Sequence, residues 1–91
     1  IDFTEAARIF DQFLASPKYF AVESSDGGKI EFFTRRRSQK ITLDLWLDDF
    51  EVSAAVVTIP TARALLEKIF SGSTEKEIVQ FIKQEALELS P

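Results

Sequence analysis

Residues 41 to 47 read Ile41-Thr42-Leu43-Asp44-Leu45-Trp46-Leu47, with an aliphatic side chain at each odd position and a polar or aromatic one at each even position. A strand sends successive side chains to opposite faces, so this stretch predicts a β-strand with an aliphatic face and a second face carrying Thr42, Asp44 and Trp46. The same period of two extends outward, from about residue 18 to residue 58. Upstream, Phe20 and Val22 alternate with Tyr19, Ala21 and Glu23, and Ile30, Phe32 and Thr34 alternate with Glu31, Phe33, Arg35 and Arg37. Between them, Ser24-Ser25-Asp26-Gly27-Gly28 supplies residues that tolerate positive φ, which predicts a hairpin. Ser38-Gln39-Lys40 makes the next turn. Downstream, Asp48-Asp49 turns the chain, and Phe50, Val52, Ala54 and Val56 alternate with Glu51, Ser53, Ala55 and Val57 in a fourth strand.

On either side of this block the period lengthens to that of a helix. Phe3, Ala6, Ala7, Phe10, Phe13 and Leu14 recur at spacings of three and four, the stripe of an amphipathic helix. Asp2 and Glu5 have the form of a capping box, with Thr4 as the rival cap, and Ser16-Pro17 ends the segment because a residue before proline is pushed out of helical geometry. Pro60 suits the first turn of a second helix with a buried face of Ala62, Leu65, Leu66, Ile69 and Phe70; Ser71-Gly72 stops it. Thr74 and Glu77 form another capping box. They open a last helix, striped by Ile78, Val79, Phe81, Ile82, Ala86 and Leu89 and ending near Leu89, with its acidic residues on a solvated face. The order α-β-β-β-β-α-α predicts one α+β domain over residues 1–91. It has two layers, a four-stranded antiparallel meander covered on one face by helices.

Composition narrows the function classes. The chain has 91 residues, 45% hydrophobic and 29% charged, the profile of one ordinary globular domain. No apolar run approaches the roughly 20 residues that span a bilayer, and the opening residues lack a secretory signal, so a soluble, cytoplasmic domain with no membrane role is expected. It begins at Ile1 and holds no Met, which suggests a piece of a longer protein. Without cysteine it has no disulfide or thiolate metal site, and without histidine it lacks the commonest general base and transition-metal ligand. Net charge is -4 and uneven: residues 18 to 40 hold six basic and three acidic side chains, whereas residues 41 to 91 hold four basic and nine acidic. An acidic whole disfavours nonspecific attachment to nucleic acid or anionic lipid.

If the helices cover the face made by Phe20, Val22, Ile30, Phe32, the leucines of the third strand, Val52 and Val56, the alternate positions face away. That outer face then carries Tyr19, Ala21, Phe33, Trp46, Ala55 and Val57, ringed by Glu23, Glu31, Arg35, Arg37, Asp44, Asp48 and Glu51. An apolar centre with a charged rim is the anatomy of a contact surface, and Trp, Tyr and Arg are enriched at the energetic centres of such surfaces. The expectation is a non-catalytic protein-interaction module of adaptor, regulatory or inhibitor type, which dimerises with itself or holds a protein partner. Trp46 would anchor the contact, Tyr19 and Phe33 would flank it, and Arg35, Arg37, Asp44 and Asp48 would orient it. A covering helix from the same chain is the bland alternative. Single-stranded nucleic acid, taken up by Arg35, Arg37 and the sheet aromatics, is the rival partner. It is weakened because Arg36 alternates to the opposite face and because Arg-to-Asp pairing across strands explains the same residues. No enzyme, cofactor or metal is expected: the serines have no histidine to activate them, Gly27-Gly28 lacks the helix and Lys-Ser/Thr pair of a phosphate loop, and Asp44, Asp48, Asp49 and Glu51 lack the ligand ladder of an EF-hand.

Overall fold

The computed structural model describes residues 2–16, 19–34, 39–47 and 52–91. Its elements follow in the order α1 (Phe3–Ala15), β1 (Phe20–Glu23), β2 (Lys29–Thr34), β3 (Lys40–Trp46), β4 (Ala54–Thr58), α2 (Ile59–Phe70), α3 (Glu75–Glu85) and β5 (Glu88–Ser90). The strands form a single antiparallel sheet in the order β1-β2-β3-β4-β5. The α+β class and the meander of antiparallel strands are as the periodicity predicts; the sheet has five strands instead of four.

Each helix begins and ends for a local reason. The Asp2 side chain accepts the Glu5 backbone N–H at 2.9 Å, so Asp2 rather than Thr4 caps α1. Pro60 lies in the first turn of α2, capped by Thr58, and Gly72, at φ +88°, ends that helix. There the N–H groups of Gly72 and Ser73 donate to the carbonyls of Ile69 and Lys68, a Schellman motif that satisfies two end carbonyls. At α3 the capping box closes from both sides, Glu77 N–H to Thr74 Oγ1 and Thr74 N–H to Glu77 Oε1.

These hydrogen bonds hold the Glu77 carboxyl below the usual glutamate range, chiefly through the Thr74 backbone N–H and then its hydroxyl. A carboxyl with a lowered folded-state pKa adds stability above its ordinary range, and that contribution is lost as pH falls through the lowered value. Glu77→Gln keeps an acceptor for the cap and removes the titratable group. Urea midpoints measured from neutral to acid pH should therefore fall less steeply for Glu77→Gln than for the wild type.

The helices all pack on one face. Phe10 and Phe13 of α1 meet Phe20 and Phe32 of the sheet in a ring cluster with centroids 5.2 to 6.0 Å apart. Ile41, Leu43, Leu45, Leu47, Val52, Leu65, Leu66, Ile78 and Ile82 continue this core beneath α2 and α3. Burying a Leu, Ile or Phe is worth about 1.5–3 kcal/mol, so this layer dominates stability. Arg63 of α2 pairs with Asp11 of α1 above it and lies over the Phe10 ring.

Two expectations about the strands need correction. Ile41 pairs with Val57 and Leu43 with Ala55, so Ala55 and Val57 face the helices, while Ala54 and Val56 face outward. The predicted parity of this strand is thus shifted by one. Val52 still faces the core, and Val52 and Ala55 can both do so only because the chain is irregular at Ser53. The last helix, moreover, ends at Glu85. Ala86 is extended, and Leu87 donates its N–H to the Val56 carbonyl, so the chain adds β5 to the open side of β4. Leu89, expected in a helical stripe, lies opposite Ala55 on that edge strand and is exposed.

The β1–β2 turn is fastened to the start of α3. Asp26 accepts the Glu75 N–H at 2.9 Å, and Ser24 Oγ donates to the buried Glu75 carboxylate at 3.1 Å. A Cβ on Gly28 would come within 2.3 Å of Glu75 Oε1 and 2.6 Å of Leu47, so no side chain fits there without displacement. Glu75, read from sequence as part of a solvated face, is instead a structural clasp.

Candidate functional site: the bare sheet face

With all three helices on one side, the opposite sheet face is built from the even-numbered residues of β3 and their cross-strand partners. The register aligns Ala21, Glu31, Asp44, Ala54 and Ser90 in one row across the five strands. A neighbouring row holds Glu23, Lys29 and Trp46; the row on the other side holds Phe33, Thr42, Val56 and Glu88. Direct partners in an antiparallel pair share a face, so these rows describe the surface.

Trp46 is 63% exposed, Tyr19 60% and Phe33 38%. No helix lies over the indole. Instead its Nε1–H donates to Glu31 Oε1 at 2.6 Å, the diagonal neighbour, and Lys29 Nζ stands 6.0 Å from the ring centroid. The ring is thereby tethered from two sides while most of its surface meets solvent.

The three outer rings do not form one patch. No two of them stack ring on ring, in contrast to the phenylalanines of the core. Tyr19 lies at the β1 edge, where with Ile9, Gln12, Phe13 and Ser16 it lines a groove against α1. Phe33 and Trp46 are two rows apart on adjacent strands, with the Glu31–Asp44 row between them. The expected outer residues Ala55 and Val57 are replaced by Ala54 and Val56.

Asp44 lies directly opposite Glu31. Arg35, Arg37 and Asp48 lie outside the described residues. Sequence reasoning placed Glu31 on the rim. Its position in the middle of the face, beside Asp44 and bonded to Trp46, follows from register, which alternation alone does not supply. Among the described residues no helix is long and apolar enough to cross a membrane, and no three His, Cys, Asp or Glu side chains are grouped to hold a metal ion. No protein-family model, curated protein or solved structure matches the chain.

Proposed function

We propose that this domain is a non-catalytic protein-interaction module that uses its bare sheet face, anchored by Trp46, to hold a protein partner or a second copy of itself. One observation carries this: the only tryptophan stands 63% exposed on the sheet face that the helices leave uncovered. Tryptophan is among the residue types enriched at the energetic centres of interfaces, and a tethered aromatic ring loses little freedom on binding. Adaptor, regulatory and inhibitor roles share this anatomy.

Self-association is measured by light scattering across a concentration series, and binding to other proteins by retention on the immobilised domain. Whichever contact is found should be lost in Trp46→Ala. A contact that survives this substitution undiminished overturns the reading. The rival, single-stranded nucleic acid, gains nothing from the described face, because Glu31 and Asp44 occupy the ground where a phosphate would lie.

A further inference from the structure

Glu31 and Asp44 stand directly opposite each other in the middle of the outer face, neither on an edge strand. Like charges in that arrangement repel and weaken the sheet. Glu31 is partly satisfied by the Trp46 indole, but half-buried Asp44 has no hydrogen bond or ion pair among the described residues. Their row is low on both sides, with Ala21 beyond Glu31 and Ala54 beyond Asp44, and it is walled by Trp46 on one flank and Phe33 on the other. Two carboxylates beside an indole that is 63% exposed, with Lys29 Nζ 6.0 Å from its centroid, are complementary to one kind of group: a planar cation that can take bidentate hydrogen bonds and lie against the part of the ring that Lys29 leaves uncovered.

Resting on the interface assigned above, we infer that the occupant of this face is a basic protein partner that sets an arginine side chain against Asp44 and Glu31 with its guanidinium over Trp46. A second copy is the poorer fit. A two-fold stack centred on this row would bring four carboxylates together in a desolvated contact, the like-charge arrangement that interfaces avoid.

The probe is a capped peptide, acetyl-Gly-Arg-Arg-Gly-amide, titrated into the ¹⁵N-labelled domain at low salt, with the isosteric but uncharged citrulline peptide as control. Saturable shifts of the Trp46 indole N–H and of the Glu31 and Asp44 amides are expected, at least about tenfold weaker for citrulline. Asp44→Asn should weaken the arginine peptide by about fivefold or more, and Glu67→Gln, an exposed acid on α2, by less than about twofold. In the free protein Asp44→Asn should also raise the melting temperature, because the repulsion is relieved. Absence of shifts on the sheet face, equal weakening by Glu67→Gln, or a lowered melting temperature for Asp44→Asn each overturns the inference. Light scattering separates the two levels. Self-association that is lost in Trp46→Ala and strengthened in Asp44→Asn keeps the interface but makes a second copy its occupant. A face that takes neither the peptide nor another copy of the chain removes the inference, whereas the interface itself stands or falls with the effect of Trp46→Ala on proteins retained by the immobilised domain.

Discussion

Phe32→Ala is expected to cost about 3–5 kcal/mol of folding stability, whereas Phe33→Ala, one residue along, should cost less than about 1 kcal/mol. Phe32 is fully buried, with its ring 5.2 Å from Phe20 and 5.9 Å from Phe10, so truncation removes two edge-to-face contacts and leaves a cavity beneath α1. Phe33 points the other way and already meets solvent. For a domain with a total stability of roughly 5–15 kcal/mol, the first substitution takes a large share and the second a small one. Urea denaturation of the two variants reads the strand register directly. Equal losses, or the larger loss at Phe33, would mean that the two faces have been exchanged.

Trp46→Ala is expected to behave in the opposite way. Because the indole is largely exposed, its removal forfeits little burial and one solvent-accessible hydrogen bond to Glu31, and the urea midpoint should hardly move. Association should weaken by at least about 2 kcal/mol, the range in which an aromatic anchor at the centre of an interface falls. Titration calorimetry or sedimentation with the bound partner measures this. A variant that unfolds while the surviving folded fraction binds normally would assign Trp46 to the core instead. The contrast with Phe32 is the useful part: two large aromatics on adjacent strands of one sheet, one needed for folding and one for contact.

The two-layer class was legible in the sequence because local signals agreed. The unbroken alternation from Ile41 to Leu47, the turn at residues 24 to 28 and the caps at Asp2 and Thr74 each act within a few residues of chain, and each is seen in the structure. Where the sequence misled, the local signal was degenerate. Ala54-Ala55-Val56-Val57 is apolar at four consecutive positions, so either parity satisfies a period of two; pairing with Ile41 and Leu43 decides between them. Leu87-Glu88-Leu89 fits the tail of a helical stripe as well as a short strand, and the unpaired edge of β4 resolves the choice by supplying backbone partners. Long-range polar contacts were not legible at all. Nothing near Glu75 announces Ser24, 51 residues away, and nothing near Asp44 announces Glu31, because both meetings depend on the registers that the turns set.

The exposed aromatics were the best-read part of the site, since alternation from the buried Leu43 and Leu45 fixes the side on which Trp46 emerges. Their arrangement was not. Tyr19, Phe33 and Trp46 suggested a single apolar centre, whereas the structure interposes a carboxylate row and places Tyr19 against α1. This turns a greasy patch into a surface with an electrostatic demand at its middle, and it moves the expected partner from any apolar face to a cationic one.

The openness of the sheet face is tested most directly by acrylamide quenching of the single tryptophan in a dilute, monomeric sample. The indole should be quenched nearly as readily as N-acetyl-tryptophanamide, and addition of a bound partner should protect it. An indole already shielded at high dilution, and released only when urea unfolds the chain, would contradict the account.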